Sequence, residues 1–233
     1  MKNHSNLNEI TKCLSNIGNM PKILSLMRQN VQVADWKSIL KFSFSALKIK
    51  SLVSTASLLL HRLVSSINPK ALKDISYLIN SVIDFDESAV EGKSVVKSDV
   101  DETLDELKQK FFGLDDFLSS VAKTVSETIN ASIPCLNVIY FPQLGYLITI
   151  PTVGGTDIHD IEGLHFQFCT KSTVYYKNSH MFELDEVLGD LHSIIADKEL
   201  EIVQLLTTKV LQFTESINET AHALADLDWY CNF

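Results

Sequence analysis

Apolar residues in the first part of the chain recur at intervals of three and four, the spacing of one face of an α-helix. These stripes lie at about 7–17, 36–47, 51–63 and 72–83. Gly18 and Pro21 separate the first stripe from the next, Asp35 is a predicted N-cap, and Asn68 followed by Pro69 predicts another helix start. The pattern predicts a helical bundle, followed by an irregular surface connection at 84–98.

Two longer apolar stripes follow. The first begins at the capping-box sequence Asp99–Glu102 and continues to Ile129, which at 1.5 Å per residue is roughly 45 Å of helix. The second runs from about Met181 to Leu227, roughly 70 Å, and Gly189 is its one interior interruption. The stripes predict two continuous helices, and a helix this long cannot be buried in one compact globule. We therefore expect an antiparallel helical arm.

Between the two long stripes, the sequence becomes rich in β-branched and aromatic residues, which is typical of strands. Four such segments lie at 135–141, 146–150, 164–168 and 172–176. The short spacers Pro142–Gly145 and Thr170–Lys171 predict two hairpins. We expect one four-stranded antiparallel sheet at about 134–176, the only sheet of the chain, with more than half of all residues helical. The alternative is a coiled-coil hairpin with a disordered tip, although segments this apolar are poorly explained by disorder.

The charge is unevenly distributed along the chain. The net charge is −9, with 13 basic and 7 acidic residues in 1–98 but 7 basic and 22 acidic residues in 99–233. Affinity for phosphates comes largely from Lys and Arg that displace counterions, so an acidic chain binds nucleic acid poorly by itself. We therefore expect any nucleic-acid contact to be local or shared with a partner.

The cysteines and apolar runs exclude several classes of protein. Four widely spaced cysteines without a C-x-x-C pair argue against a zinc ribbon or redox motif and favour a reduced, intracellular chain. The polar start predicts no secretory signal. The richest apolar run, Leu52–Leu60, is far shorter than the roughly 20 residues that span a bilayer. We expect no membrane span.

No complete catalytic site is evident in the sequence. His159 lies between Asp157 and Asp160 in a loop without metal-ligand spacing, which favours surface solvation. The acidic groups Asp115–Asp116 and Glu183–Glu186 are interpreted as solvated helix faces. A G-x-x-x-x-G-K-[ST] phosphate loop is absent. We expect no catalytic, cofactor-binding or metal-binding residue, and no ATP hydrolysis by this chain.

Four polar residues around the predicted hairpins are candidates for DNA contact. Lys171, Lys177 and Asn178 flank the second hairpin, and Gln143 lies in the first turn. A few such groups can seat a duplex through its phosphates without reading sequence. The alternative is that the lysines keep strand edges soluble.

Three segments carry a resemblance to a known family. Leu104–Leu107, Asn137–Pro151 and Leu224–Asp228 resemble the lever and clamp region of the MutS family of DNA clamps. Glu183–His192 and Asn19–Leu24 resemble its meiotic branch. The resemblance implies a mainly α fold, a helical lever bundle with long antiparallel helices and a small four-stranded β clamp module at the tip. It divides the chain into a core and lever segment at 1–106, a clamp domain at 107–180 and a returning lever helix at 181–233.

The resemblance also implies a function. The chain would be a DNA-binding segment of a nuclear protein of meiotic recombination, active on double-stranded, branched or Holliday-junction DNA in crossover formation, or a protein of mismatch repair. The parent would be an ATP-dependent sliding clamp that uses Mg²⁺ and pairs with the fourth MutS homologue. The alternative is a helical scaffold for protein interaction without DNA contact.

Overall fold

The structure is a computed structural model that describes residues 2–53, 62–129, 135–141, 143–152 and 161–231. These residues include ten helices, which are Lys2–Leu14 (α1), Met20–Met27 (α2), Val33–Val53 (α3), Pro69–Val82 (α4), Phe85–Glu91 (α5), Glu102–Phe112 (α6), Leu114–Thr128 (α7), Ser179–Val187 (α8), Leu191–Leu211 (α9) and Thr214–Cys231 (α10). Six strands are Ile83–Asp84 (β1), Val95–Val96 (β2), Asn137–Phe141 (β3), Gly145–Pro151 (β4), His165–Cys169 (β5) and Thr173–Lys177 (β6). Helices hold more than half of the described residues, which confirms the mainly α class.

Some sequence predictions fall outside the described residues. They include most of the helix expected at 51–63 and the interpretation of His159 with Asp157 and Asp160. Within the described ranges, no helix is both long and apolar enough to cross a membrane.

The chain divides into two compact units. The first unit contains Met1–Val100 and Glu199–Phe233, and the second, here called the sheet unit, contains Asp101–Lys198. The domain division implied by the family resemblance, at residues 106 and 180, stays a prediction.

The core of the first unit is built from helices that bury one apolar face each. Helix α3 packs against α1 and α4, and α10 packs against α1 and α2. Trp36, Ile39 and Phe42 of α3 are fully buried. Asn68 caps α4 as expected, but α3 begins at Val33, ahead of the predicted cap Asp35. The Asp35 carboxylate instead accepts a hydrogen bond from the Gln32 N–H at 2.8 Å, so it stabilises the first turn from within.

A two-stranded ladder lies where the sequence predicted an irregular surface connection. Strand β1 pairs with β2 in antiparallel fashion, and α5 lies between them in the chain. This pairing buries Val95 and Val96, and the Ser88 hydroxyl accepts a hydrogen bond from the Val95 N–H at 2.8 Å. The prediction of a single sheet is therefore wrong. Strands of two residues are too short to show a period of two, so the sequence pattern could not reveal them.

The outgoing helix is interrupted and begins later than predicted. Asp101, not Asp99, is its N-cap and accepts a hydrogen bond from the Leu104 N–H at 2.9 Å. Gly113 then separates α6 from α7. The apolar stripe continues across the break because a one-residue interruption leaves both helices with an apolar face, so periodicity alone predicted one helix.

The returning helix is also interrupted, at two places. Gly189 adopts a φ of +55°, and the next residue, Asp190, accepts a hydrogen bond from the Ser193 N–H at 3.0 Å at the start of α9. The Phe213 N–H bonds to the Val210 carbonyl oxygen at 3.0 Å, a tighter turn that separates α9 from α10. The prediction of two continuous helices is therefore wrong, although the sequence singled out Gly189 as an interruption and the residues on both sides of each break are helical.

The four-stranded antiparallel sheet is confirmed. Its strand order is β3-β4-β6-β5, so the two predicted hairpins pair through β4 and β6. One face packs against α7 and α8, and its core contains Leu118, Ala122, Val125, Val138, Tyr146, Ile148, Ile150, Ile161, Leu164, Val174, Tyr176, Met181 and Leu184. This core fixes α8 against the end of the sheet where β6 leaves it.

Candidate nucleic-acid interface

The predicted DNA-contact residues lie at opposite ends of the sheet. Pro151, at the end of β4, pairs with Thr173 at the start of β6, so the β5–β6 turn with Lys171 lies at that end. Gln143 lies two residues before Gly145, the first residue of β4, and Lys177 is the last residue of β6. Because β4 and β6 are antiparallel, these two residues lie at the other end of the sheet. Seven strand residues at about 3.3 Å each separate the two ends by roughly 20 Å. The structure therefore does not bring the four candidates into one cluster.

Lys177 is a structural residue in this fold. It is 8% exposed, and its ammonium group forms an ion pair with the Asp185 carboxylate. The same Nζ atom lies 5.1 Å from the centre of the Phe182 ring. These contacts argue against a phosphate contact, because a phosphate would have to displace an existing carboxylate partner from a buried amine.

Asn178 also has a structural partner. It is the N-cap of α8, and its side-chain oxygen accepts a hydrogen bond from the Met181 N–H at 3.0 Å. Asn at this position satisfies one of the free N–H groups at a helix start. The cap explains why an Asn follows β6 without any need for DNA contact.

Gln143 and Lys171 are the two candidates with exposed side chains. Gln143 adopts a φ of +70° in the β3–β4 turn, which the Leu144 N–H closes through a 3.1 Å hydrogen bond to the Phe141 carbonyl oxygen. Lys171 lies in the β5–β6 turn, next to Thr170. Both side chains are exposed to solvent, and their role in DNA contact stays a prediction.

Asp185 is the residue that sequence reasoning missed. Its Oδ1 atom accepts a hydrogen bond from the Tyr146 N–H at 2.8 Å, and its Oδ2 atom binds Lys177. Tyr146 lies two residues before Ile148, the residue of β4 that pairs with Tyr176. The carboxylate therefore takes the place of a neighbouring strand at the point where β6 leaves the sheet.

The backbone also makes room for the Asp185 carboxylate. A Cβ atom on Gly145 would lie 2.1 Å from the Asp185 Oδ1 atom, and Gly145 has a φ of +79°. The interpretation of Glu183, Asp185 and Glu186 as solvated is thus wrong for Asp185. A signal for this was present in the sequence: Asp185 follows the apolar Met181 by four residues, so it lies on the same face of α8.

Two tyrosines tie the first hairpin to the α8–α9 connection. The Tyr146 hydroxyl donates a hydrogen bond to the Gly189 carbonyl oxygen at 3.4 Å, and its ring centre lies 5.1 Å from that of Tyr140. Burial raises the pKa of Tyr146 to about 12. Burial, and then a hydrogen bond with Asp190, raise the pKa of Tyr140. Hydrogen bonds from Ser193 lower the pKa of Asp190, which favours its charged form as the acceptor.

The other face of the sheet carries aromatic side chains. The rings of Phe168 and Tyr175 stack at 4.3 Å, and the rings of Phe141 and Phe168 lie 6.3 Å apart. Phe141 and Phe168 belong to the two edge strands, so their side chains meet over the central strands, where Leu147 is fully buried. This face is therefore aromatic, and Phe141 serves to cover it while remaining 42% exposed.

The sheet unit carries the net charge of the chain. Asp101–Lys198 contains 6 basic and 15 acidic residues, a net of −9, whereas the first unit contains 14 of each. Within residues 135–177 the sequence has two lysines, and Lys177 is already paired. The local cation available for a phosphate on the described strands and turns is therefore Lys171.

Comparison with known proteins confirms the resemblance to the MutS family. The chain is 26% identical to the MutS protein homolog 5 of Saccharomyces cerevisiae over 241 residues, covering 97% of this chain and 26% of the yeast protein. It is 22% identical to the MutS protein homolog 5 of Caenorhabditis elegans over 232 residues, covering 97% of this chain and 17% of that protein. No family model matches the chain. The chain thus spans about a quarter or less of the length of these relatives.

Proposed function

We propose that this chain is the lever and clamp part of a nuclear MutS-family protein of meiotic recombination, which holds branched or Holliday-junction DNA during crossover formation. The supporting observation is similarity along 97% of the chain to two proteins named MutS protein homolog 5. A small antiparallel sheet lies between helical segments at the place that the resemblance implies. Mismatch repair is the wider function of the same family.

In this proposal the chain binds and does not catalyse. The longer protein would hydrolyse ATP with Mg²⁺ outside this region, because the chain has no phosphate loop. It would pair with the fourth MutS homologue, and closure of the pair around DNA would supply most of the grip. The sheet unit would add positioning contacts, which fix orientation without reading base sequence.

The proposed DNA contacts are Gln143 and Lys171, one at each end of the sheet. A separation of roughly 20 Å allows each turn to meet a different part of one DNA backbone. The net charge of −9 on the sheet unit opposes these contacts. Binding by the chain alone should therefore be weak and should fall steeply with salt, because phosphate contacts release counterions.

A salt titration of junction-DNA binding tests this proposal. We expect fluorescence anisotropy to show weak binding that Lys171→Glu reduces several-fold, with a salt slope smaller by about 1. Lys123→Glu, an exposed residue of α7 in the same unit, makes the same charge change and is the matched control. Tight binding that does not respond to salt, or equal losses in both variants, would rule out a specific contact by Lys171.

The second candidate function is a helical scaffold for protein interaction without DNA contact. It is favoured by the acidic sheet unit and by the ion pair that occupies Lys177. Copurification with the fourth MutS homologue, combined with junction-DNA binding assays of the chain and of the pair, distinguishes the two functions. Partner binding that persists after nuclease treatment, together with no junction binding by either the chain or the pair, would support the scaffold and overturn the DNA-contact proposal.

A further inference from the structure

Helix α3 presents a row of cations on one face of the first unit. Lys37, Lys41 and Lys48 are separated by four and seven residues, and Phe44 lies between the last two. Residues at these intervals share a helix face. The chain as a whole is acidic, but this face is basic. Lys37 is the first residue of the row, and its ammonium group lies 5.9 Å from the Phe85 ring centre.

Helices α1 and α3 together form a groove that contains part of this row. The groove has a volume of about 370 Å³, and its lining includes Glu9, Lys12, Lys41, Phe44 and Lys48. Lys12 adds a third cation to Lys41 and Lys48. Glu9 is the one carboxylate of the lining, and its Oε2 atom lies 3.6 Å from the Lys48 Nζ atom. Three cations and one carboxylate give the groove a net positive charge.

Phe44 is unusual in this groove because its side chain is 68% exposed. Phe42, two positions earlier in the same helix, is fully buried, so α3 already has the apolar contacts that hold it in the core. An exposed ring flanked by lysines offers a flat apolar surface next to positive charge. Such a ring can stack on an unpaired base while the cations contact phosphates.

We propose that this groove binds a single-stranded segment of nucleic acid, with a base stacked on Phe44 and phosphates at Lys12, Lys41 and Lys48. The order of cation, aromatic ring and cation along α3 matches the alternation of phosphate and base along a strand. Lys41 and Lys48 are seven residues apart, about 10.5 Å along the helix. In a duplex the bases are stacked on each other and leave no face for Phe44, so the ring distinguishes the two forms.

The proposal concerns a surface of the first unit, and it concerns single-stranded nucleic acid, whereas the proposed function concerns branched or junction DNA. It can therefore fail while the proposed function stands, and the reverse. Lys171→Glu should leave single-strand binding unchanged, because Lys171 belongs to the sheet unit. Loss of single-strand binding in Lys171→Glu would show that the strand binds the sheet unit and would overturn the assignment to α3.

The test is the affinity of the chain for a fluorescent oligothymidylate of about 16 nucleotides, long enough to cover one binding site. We expect Phe44→Ala to weaken binding roughly tenfold, as for other stacked bases. The double variant Lys41→Glu and Lys48→Glu should lower the salt slope by about 1.4, the value for two phosphate contacts on a single strand. A duplex of equal length should bind without any effect of Phe44→Ala.

Matched controls exist on α4. Tyr77 is 74% exposed, so Tyr77→Ala removes a comparable exposed ring. Lys70→Glu with Lys73→Glu reverses two exposed charges on the same helix. These variants should keep the original affinity, and circular dichroism should show that all variants are folded. Equal losses in the controls, or unchanged binding by Phe44→Ala, would overturn the proposal. Phe44-dependent binding of polyglutamate without oligothymidylate binding would instead identify an acidic protein partner.

Discussion

The two units attach a strand to a helix with the same chemical device, a carboxylate that binds one backbone N–H and one lysine. In the sheet unit, Asp185 binds the Tyr146 N–H and Lys177. In the first unit, Glu199 binds the Val96 N–H at 3.5 Å and the Lys93 Nζ atom at 3.2 Å. Each carboxylate lies more than 30 residues along the chain from the N–H group that donates a hydrogen bond to it.

The two devices differ in which partner is buried. In the sheet unit the lysine is the more buried group, with 11% of its side chain exposed against 26% for Asp185. In the first unit the carboxylate is the more buried group, at 5% against 44% for Lys93. Removal of the carboxylate should therefore lower the free energy of unfolding more in the sheet unit, because it leaves the buried ammonium group of Lys177 without its carboxylate partner. The ammonium group of Lys93 is more exposed and can be solvated by water.

The largest expected effect is that of Asp185→Ala. Loss of the carboxylate removes the ion-pair partner of the buried Lys177 and the hydrogen-bond acceptor of the Tyr146 N–H, which should lower the free energy of unfolding by about 3 kcal/mol. Urea denaturation measures this change, and amide hydrogen exchange at Tyr146 locates it in the sheet unit. Glu186→Ala, an exposed neighbour on α8, is the control and should be nearly neutral. Similar costs for the two variants would contradict the role of Asp185.

Gly145→Ala should have the next largest effect, about 2–3 kcal/mol, because the new methyl group meets the Asp185 carboxylate at a positive φ. Gly163→Ala is the matched control: its φ is +84° and a Cβ atom there meets nothing within 4 Å. That variant should cost about 1 kcal/mol from backbone strain alone. Thermal or urea unfolding of both measures the difference. Equal costs would mean that the close approach of Asp185 contributes nothing.

Glu199→Gln should have a smaller effect, about 1–2 kcal/mol, since Lys93 is solvated and the amide oxygen can still accept a hydrogen bond from the Val96 N–H. Urea denaturation measures the cost beside Glu215→Gln, an exposed position on α10. If Glu199→Gln lowered the free energy of unfolding as much as Asp185→Ala, the proposed difference between the Glu199 and Asp185 contacts would be wrong. A neutral result would mean that the pair in the first unit adds no stability.

The smallest expected effect is a change in alkaline stability. The pKa of Tyr146 is raised from 10.0 to about 12 by burial, so the folded state holds this proton more tightly than the unfolded state. Its contribution is complete below pH 10 and is lost as the pH rises toward 12. Tyr146→Phe should remove this part of the pH dependence, measured as unfolding free energy across that interval. The exposed Tyr77→Phe should retain it, and identical profiles for all three proteins would disprove the prediction.

Local pattern was sufficient for the elements with a clear period. The four strands of the sheet and the helix starts near Pro21 and after Asn68 follow from alternation, apolar stripes and the helix-start residues. The ladder of Ile83–Asp84 with Val95–Val96 could not be predicted, because two residues carry no period. The helix break at Gly113 was missed because its apolar stripe continues on both sides.

The candidate site was harder to predict because its members are brought together by folding. Sequence alone selected Lys171, Lys177, Asn178 and Gln143 by residue type and by closeness to a hairpin. The strand order β3-β4-β6-β5 places Lys171 and Gln143 at opposite ends of the sheet. The fold also brings Asp185 next to Lys177, which forms an ion pair with it. Residue type shows what a side chain is able to bind, but its actual partner depends on distances across the fold.

The sequence by itself determined the mainly α class, the place of the sheet, the acidic balance of residues 99–233 and the resemblance to the MutS family. These properties depend on local period, composition and the order of short segments, all of which exist before folding. Only the tertiary structure decided that the Asp185 carboxylate binds the Tyr146 N–H next to the β3–β4 turn, and that Lys12 and Lys41 line one groove. Such contacts join residues far apart in the chain, because packing and the desolvation of charge select partners by distance in space.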